Sequence, residues 1–354
     1  MRDRSSQLHD ASLSVAACLD RPESWQRGVL GALCFSVDAA ESPLLADLGM
    51  PCLRVPMPRL DAVDSSCEVW HGSGRLTSGQ CGDIRYRHDE EMLFGVIVLP
   101  ETLFSAEPDS TPLQQATESA YRQIFALLDS LHFPYLFRFW NYIADINACS
   151  FGLERYRQFN RGRQDAFLAH GRDVLGNVPA ACALGFARQN SAQGELTIAF
   201  LAGRVAPLNI ENPRQISAYQ YPQQYGPRSP TFSRASLVRM GQDEVLFVSG
   251  TASIVGHATL HARDVVAQTR ETMANIEAVL GEANRRAARF ELADLSYRVY
   301  LRHPADLAQI RAELVRCVGG EINAVYLQAD VCREDLLMEI EATAVHPFVT
   351  GERG

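Results

Sequence analysis

The 354-residue chain contains no lysine, so its 33 basic side chains are all arginine. The side-chain cations available to a negatively charged ligand are therefore guanidinium groups, which match a carboxylate in bidentate geometry better than an ammonium does. The formal net charge of -9 argues against nucleic acid or an anionic membrane as a partner, because either requires a basic surface. A small anionic substrate stays compatible, since a few arginines can set the field inside a pocket.

Long apolar segments are also missing. Residues 92–99 (MLFGVIVL) have the length of a buried strand, not of a membrane span. The first residues, MRDRSSQLHD, lack the apolar core of a signal peptide. The nine cysteines show no C-x-x-C or metal-finger spacing, so we expect them to be reduced and mostly buried. These features predict a cytoplasmic protein.

Signatures of cofactor sites are absent from the sequence as well. It has no P-loop, no dinucleotide-binding fingerprint and no G-x-S-x-G elbow. His257 and His261 are four residues apart, but no third metal ligand is evident nearby, and the pair is more typical of a helix start. We therefore expect neither a metal nor a cofactor.

The second half of the chain alternates strands and helices. Apolar residues recur at helical spacing from Val265 to Leu280, which predicts a helix from about residue 262 to 287. A second helix is predicted at 304–318, giving the order β-β-α-β-α-β-β. The strands of this order are predicted at residues 232–237, 244–250, 295–301, 324–327 and 336–342.

The first half repeats the beginning of that plan. A helix at 111–131 has Thr111 as its predicted N-cap and Pro112 at its first position. A second helix is predicted at 153–170. Strands are predicted at residues 85–87, 92–99, 135–142, 180–186 and 196–202. The pattern predicts an α/β (α+β) fold of mixed sheets with helices packed on one face. We divide it into two tandem modules, residues 1–205 and 206–354; two unrelated α+β domains are the alternative.

Residues 209–234 interrupt this alternation. The segment has no regular period and is rich in tyrosine, arginine and proline. A flexible linker would instead be rich in glycine and serine. We therefore predict a loop at a functional site.

Motifs of the second half resemble the RidA (YjgF-like) family. They are EVLFVSGTASIVG, SYRVYLRHPADLAQIRAEL and DLLMEIEATAV. The resemblance implies RidA-like modules, usually trimeric, with a catalytic glutamate in the strand that contains EIEA. RidA-like proteins hydrolyse imines and enamines and bind the substrate carboxylate through an arginine. The family's spacing puts that arginine at Ala324, so plain imine hydrolysis is disfavoured.

A longer resemblance, to the chorismatase family, extends over nearly the whole chain. It rests on RFWNYIADIN, GLERYRQFNRGR, ENPRQISAYQYPQQYGPRSPTFSRA, SGTASIVGHAT and QADVCREDLLMEIEA. Members act on chorismate, and their fold is related to that of RidA. The resemblance implies release of the enolpyruvyl group as pyruvate. The second product would be 3-hydroxybenzoate, in some members with 4-hydroxybenzoate; a hydrolytic subtype forms a dihydroxycyclohexadiene acid instead.

Cleavage of the enol ether of chorismate requires protonation of carbon by a carboxylic acid that keeps its proton near neutral pH. Glu339 and Glu341 share one face of the predicted strand 336–342, because side chains alternate along a strand. Two neighbouring carboxylates tend to separate their pKa values. We assign Glu339 as the acid and Glu341 as a supporting carboxylate. A pair of solvated glutamates on an exposed face is the alternative.

Chorismate is a dianion, so its carboxylates require cationic partners. Arg138 lies among aromatic residues, where an unpaired charge would be costly, so a ligand or an acidic partner is expected. Each candidate arginine could equally form an ordinary ion pair. The candidate cations are Arg138, Arg155, Arg214 and Arg234, and the candidate hydrogen-bond donors are Asn141, Gln215, Tyr219 and Tyr225.

Cys332 precedes Glu339 by seven residues. In the chorismatase resemblance, a cysteine here accompanies the hydroxybenzoate-forming subtypes. A small, weakly polar thiol can exclude the water that hydrolysis needs; a buried structural cysteine is the alternative. Gly250 and Ala252 are small enough to let a ring approach the backbone.

The sequence therefore predicts a chorismatase that forms 3-hydroxybenzoate from a small-molecule substrate. A RidA-like imine hydrolase and a non-catalytic ligand-binding protein on the same scaffold are the alternatives. Both a monomer and a homotrimer stay open, because two modules in one chain could satisfy part of a trimer interface internally.

Overall fold

The computed structural model of the chain describes residues 8–38, 40–62, 65–187, 194–286 and 289–348. Within these residues the strands form three large sheets, of four, seven and six strands, and two short ribbons. The two larger sheets mix parallel and antiparallel pairs, and each carries helices on one face. The predicted α/β (α+β) fold class is confirmed. None of the described helices has the length and apolar character needed to cross a membrane.

The sequence pattern predicts no element between residues 9 and 71, where the structure has the four-stranded sheet, in the order β1-β4-β2-β3. Strands β2 and β4 are almost entirely buried, so they lack the polar alternation that marks a half-exposed strand. The elements are β1 (His9–Leu13), α1 (Val15–Leu19), α2 (Glu23–Gly28), β2 (Val29–Phe35), α3 (Glu41–Asp47), β3 (Cys52–Val55) and β4 (Ser66–His71).

One pair of cysteines in this sheet is bonded. Cys34 on β2 lies directly opposite Cys67 on β4, and the two form a disulfide with their Cα atoms 4.1 Å apart. The expectation that all nine cysteines are reduced is therefore wrong for this pair. The reason is the antiparallel register, which brings together two residues that are 33 positions apart in the sequence.

The seven-stranded sheet has the order β20-β11-β8-β12-β7-β6-β5. Helix α4 begins as predicted, with Pro112 first and the Thr111 hydroxyl accepting a hydrogen bond from the Gln114 N–H. The elements are β5 (Thr77–Cys81), β6 (Ile84–His88), β7 (Met92–Pro100), α4 (Pro112–Leu131), β8 (Tyr135–Ala144), α5 (Arg155–Ala169), β11 (Ala180–Phe186), β12 (Glu195–Gly203) and β20 (Asp330–Val331). Strand β20 comes from the far end of the chain.

The six-stranded sheet has the order β13-β14-β15-β21-β18-β19, with α6 and α7 on one face. An irregularity interrupts the pairing of β15 with β21 between Val248 and Thr251. The elements are β13 (Leu208–Ile210), β14 (Ala235–Met240), β15 (Asp243–Thr251), α6 (Val265–Asn284), β18 (Ser296–Leu301), α7 (Leu307–Val318), β19 (Asn323–Gln328) and β21 (Met338–Pro347). The predicted strands and helices of both halves are found in the seven-stranded and six-stranded sheets and the helices packed on them, with ends shifted by a few residues.

The two ribbons are β9 (Cys149–Ser150) with β10 (Leu153–Glu154), and β16 (Ile254–Val255) with β17 (Ala258–Thr259).

All three large sheets contribute to one shared core. At its centre Trp70, from the N-terminal sheet, lies with its ring centroid 6.4 Å from that of Trp140 on β8 and 5.4 Å from that of Phe247 on β15. The two larger sheets thus bury both faces, one under helices and one in this core. The division of the chain at residue 205 stays a prediction.

Candidate active site

A cavity of about 460 Å³ is lined by residues from both halves of the chain. This volume suits a small molecule. The predicted loop at 209–234 supplies six of the lining residues: Gln215, Tyr221, Tyr225, Pro230, Phe232 and Arg234. The others are Glu154, Tyr156, Arg157, Gly250, Ala252, Ile254, Ala258, Thr259, Cys332, Arg333, Glu334, Asp335 and Glu339.

Glu339 lies on the central strand β21 and is only 4% exposed. Its neighbours Met338 and Ile340 point into the core beneath α6 and α7, so the glutamate points the other way, into the cavity. Burial and the nearby Glu341 carboxylate raise the pKa of Glu339 to about 8, against the opposing effect of Arg138. No side chain that the structure describes hydrogen-bonds the Glu339 carboxyl group. The group is therefore a free carboxylic acid at neutral pH.

Gly250 makes room for that acid. A Cβ atom at position 250 would lie 1.9 Å from Glu339 Oε1. The glycine lies within the irregularity where β15 departs from regular pairing with β21. The small residue predicted to admit a substrate ring thus admits the Glu339 side chain.

Glu341, two residues further along the same face, lies outside the cavity lining and is fully paired. Its carboxylate contacts Arg138, accepts a hydrogen bond from Arg298 Nη1 at 2.6 Å and another from the Tyr300 hydroxyl at 2.6 Å. Arg298 in turn contacts Glu68 of the N-terminal sheet. The cluster therefore pairs two buried carboxylates with two buried guanidinium groups, and His9 Nε2 lies 2.8 Å from Glu68 Oε1.

Cys332 lines the cavity beside Glu339. Burial, the nearby Glu339 and other acidic groups raise the pKa of the Cys332 thiol to about 12, so the sulfur stays protonated. A neutral thiol fills space and is a poor nucleophile.

Two arginines that line the cavity have N–H groups without a partner among the described residues. The Arg333 guanidinium lies 4.0 Å from the Tyr225 ring centroid, and its Nη1 donates to the His257 carbonyl at 2.9 Å. Arg234 Nη2 donates to the Tyr221 hydroxyl at 2.9 Å. In the part of the chain that the structure describes, Arg333 Nη2 and Arg234 Nε have no hydrogen-bond partner. Such buried donors are suited to an anionic ligand.

Arg157 completes the set that we call the cavity arginines: Arg157, Arg234 and Arg333. Its Nε donates to Glu154 at 3.1 Å. Three acidic residues, which we call the mouth carboxylates, also line the cavity: Glu154, Glu334 and Asp335. Glu334 and Asp335 are exposed to solvent, which weakens their effect on a buried ligand.

The structure brings together seven of the predicted site residues and places the other six elsewhere. Those that line the cavity are Gln215, Tyr225, Arg234, Gly250, Ala252, Cys332 and Glu339. Those outside the lining are Arg138, Asn141, Arg155, Arg214, Tyr219 and Glu341.

Most residues of the second group already have protein partners. Arg155 Nη1 donates to Glu101 at 2.9 Å, and Arg214 Nη1 donates to Asn275 at 2.7 Å. Asn141 accepts a hydrogen bond from the Tyr121 hydroxyl at 2.7 Å. Each of these side chains is occupied within the fold, as the ion-pair alternative anticipates for the arginines.

Sequence reasoning missed several residues of the lining, among them Arg157, Arg333, Tyr156 and Tyr221. Tyr156 and Arg157 lie within the quoted motif GLERYRQFNRGR, and Arg333 directly follows Cys332, so their positions gave a usable signal. Nothing in the sequence pattern pointed to Glu68 or Arg298. No group of three or more metal-binding side chains is found among the described residues.

The chain is similar in sequence and in fold to known proteins. A family model described as chorismatase FkbO/Hyg5-like, N-terminal, matches residues 68–202. A chorismatase of Streptomyces rapamycinicus is 38% identical over 78% of this chain and 82% of its own length. A 3-hydroxybenzoate synthase of Streptomyces hygroscopicus is 37% identical over 90% of this chain and 92% of its own. A chorismatase crystal structure superposes with a TM-score of 0.77 at 32% identity, covering 90% of this chain and 93% of that one.

Proposed function

This chain belongs to the chorismatase family, and from that premise we propose that its cavity converts chorismate to 3-hydroxybenzoate and pyruvate. The observation that carries the proposal is the buried, unpaired Glu339 carboxyl group, whose pKa is raised to about 8 and which faces the cavity. An enol ether is cleaved by protonation at carbon, which requires an acid of this kind.

The cavity arginines are the proposed partners of the two substrate carboxylates. Arg333 and Arg234 both lie near the Tyr221 ring, with guanidinium carbons 5.2 and 5.6 Å from its centroid. This support restricts both guanidinium groups before a ligand arrives, so less side-chain entropy is lost on binding. Their free N–H groups would bind the carboxylates.

In the proposed reaction, Glu339 gives its proton to the terminal vinylic carbon, and the ether oxygen stabilises the cation that results. The bond between that oxygen and ring carbon C3 then breaks, and pyruvate leaves while the C4 hydroxyl oxygen bridges to C3. The bond from this oxygen to C4 breaks next, so the oxygen remains on C3, and loss of the C3 hydrogen as a proton makes the ring aromatic and restores the acid. The atoms of chorismate are divided between the two products, and no water is consumed.

Cys332 is the proposed determinant of that outcome. Hydrolysis to a dihydroxycyclohexadiene acid would consume one water, and the neutral thiol beside Glu339 occupies space that water would need. Cys332→Ala is therefore expected to raise the fraction of the hydrolysis product. Product analysis by chromatography and mass spectrometry also determines whether 4-hydroxybenzoate is formed.

The deciding experiment incubates the purified chain with chorismate and identifies every product. Pyruvate and 3-hydroxybenzoate in equal amounts support the proposal. Binding of chorismate without turnover would favour a ligand-binding protein, and turnover of an imine instead would favour a RidA-like hydrolase. The matched control is Glu277→Gln, which removes an exposed carboxylate on α6 outside the cavity lining and is expected to keep the activity.

We further propose that the protein acts as a monomer in the cytoplasm. Three sheets of one chain already surround a shared core, which supports the monomer over the homotrimer. Light scattering during size-exclusion chromatography tests the first statement, and cell fractionation tests the second.

A further inference from the structure

We propose that Glu68 of the N-terminal sheet is a positioning residue for Glu339: its charge offsets that of Arg298 in the buried cluster around Glu341, and this charge balance keeps the proton on Glu339. The inference rests on the proposed role of Glu339 as the acid. Glu68 itself does not line the cavity, and its effect would act across the shared core.

Ion pairs connect four buried side chains that lie on three different sheets. Glu68 on β4 contacts one amino group of Arg298 on β18, and the other amino group donates to Glu341 Oε1 at 2.6 Å. Arg138 on β8 contacts the second oxygen of Glu341. All four side chains are at most 8% exposed, so water screens their charges little.

The charge of this cluster decides how easily Glu339 ionises. Apart from His9, which lies 2.8 Å from Glu68, the two carboxylates and two guanidinium groups sum to zero, and ionising Glu339 beside them would add a buried negative charge that they do not compensate. Loss of the Glu68 charge would leave the cluster positive and favour the ionised form of Glu339. Loss of the Arg298 charge would leave it negative and favour the protonated form.

Other titratable groups lie beside the four residues of this cluster and beside Glu339. Burial alone would raise the pKa of Glu68, but Arg298 and His9 lower it to about 2, so Glu68 is ionised at neutral pH. Tyr300 and Tyr142 face Arg298. The groups that face Glu339 are Glu341, Arg138, Cys182 on β11, Tyr156 on α5 and Cys332, together with the cavity arginines and mouth carboxylates.

The test is a pair of opposite charge changes, read from the pH dependence of kcat/KM for chorismate. Activity of the parent enzyme is expected to fall as pH rises through about 8, because Glu339 then loses its proton. Glu68→Gln should move this fall to lower pH by about one unit, and Arg298→Gln should move it to higher pH. The double variant removes both charges and should return the fall close to its original position.

Both single variants break a buried ion pair, so loss of stability alone cannot decide the question. Glu101→Gln is the matched control, because it breaks the buried Glu101–Arg155 pair, which lies outside the cluster and the cavity lining. It should lower the melting temperature without moving the pH dependence. Shifts of Glu68→Gln and Arg298→Gln in the same direction, or no shift in either, would overturn the proposal.

A second measurement works without substrate. The difference in melting temperature between a protein and its Glu339→Gln counterpart, followed against pH, reports the titration of Glu339 itself. If chorismate is not turned over but this titration moves in opposite directions in the two variants, the proposed function fails and the positioning role stands. If turnover is normal and the titration does not move, the positioning role fails alone.

Discussion

Glu339 and Glu341 lie two residues apart on the same face of one strand, and both are about 4% exposed, yet they occupy opposite electrostatic environments. Glu341 is held by two guanidinium groups and a tyrosine hydroxyl. Glu339 faces a cavity and receives no hydrogen bond from any side chain among the described residues. Burial alone therefore does not determine the ionisation of a carboxyl group; its partners do.

The difference has a functional consequence. The Glu341 carboxylate, held by Arg138 and Arg298, helps to raise the pKa of Glu339 and so to keep its proton. The pairing of one carboxylate thus prepares the other for acid chemistry, which is how neighbouring carboxyl groups divide their roles.

Removing the acid should produce the largest effect. Glu339→Gln keeps the size of the side chain but has no proton to give, so kcat for chorismate is expected to fall by about 10³-fold. KM should change little, because the cavity arginines are untouched. A variant with parental kcat would contradict the role of Glu339 while leaving the family assignment intact.

Moving the acid without removing it should have the next largest effect. In Gly250→Ala the new methyl group would overlap Glu339 Oε1 and push the carboxyl group aside, so kcat/KM should fall by about 10²-fold. Gly281→Ala is the control, since a Cβ atom there meets nothing within 4 Å. Equal kinetics in the two alanine variants would show that the position of Glu339 is not critical.

Weakening the charge on the substrate side should affect binding more than chemistry. Arg333→Met removes a guanidinium group with a free buried N–H, and KM for chorismate is expected to rise about 10-fold or more with a smaller change in kcat. Arg285→Met, at an exposed position directly after α6, provides the control. A selective fall in kcat would place Arg333 in the chemical step instead.

The smallest expected effect concerns stability. The pKa of Glu339 is raised on folding, so the folded state holds this proton more tightly, and that stabilisation is lost as pH rises toward 8. Glu339→Gln does not titrate, so its melting temperature should match the parent's below about pH 4.5, where Glu339 is protonated in both the folded and unfolded states, and exceed it by a few degrees near pH 8. Parallel curves over this range would show that Glu339 is already ionised in the folded protein.

Local sequence rules predicted the elements that obey them. The N-cap and first-turn proline of α4 fixed its start, and helical spacing located α6 to within a few residues. Alternation along residues 336–342 put Glu339 and Glu341 on one face, which the structure has. The strands of the N-terminal sheet were not predicted, because β2 and β4 are buried on both faces and show no alternation of polar and apolar residues.

The arginines predicted to bind the substrate carboxylates could not be chosen by local sequence rules. Arg138, Arg155 and Arg214 lie in distinctive motifs, but the fold pairs the first two with glutamates and the third with Asn275 and Glu271. Arg333 lies in an equally distinctive motif and keeps a free N–H group in the cavity. The first three arginines each form an ion pair with a glutamate that is remote in the sequence, and among the described residues no such pair is found for Arg333.

The sequence by itself determined that two glutamates would share a face of one strand, because side-chain alternation is a property of the backbone alone. It also determined that the cations would be guanidinium groups, because the chain has no lysine. Which glutamate is the acid was decided by the tertiary structure. The packing of three sheets brings Arg138 and Arg298, which are 160 residues apart in the numbering (298 - 138), onto Glu341 and leaves Glu339 facing the cavity.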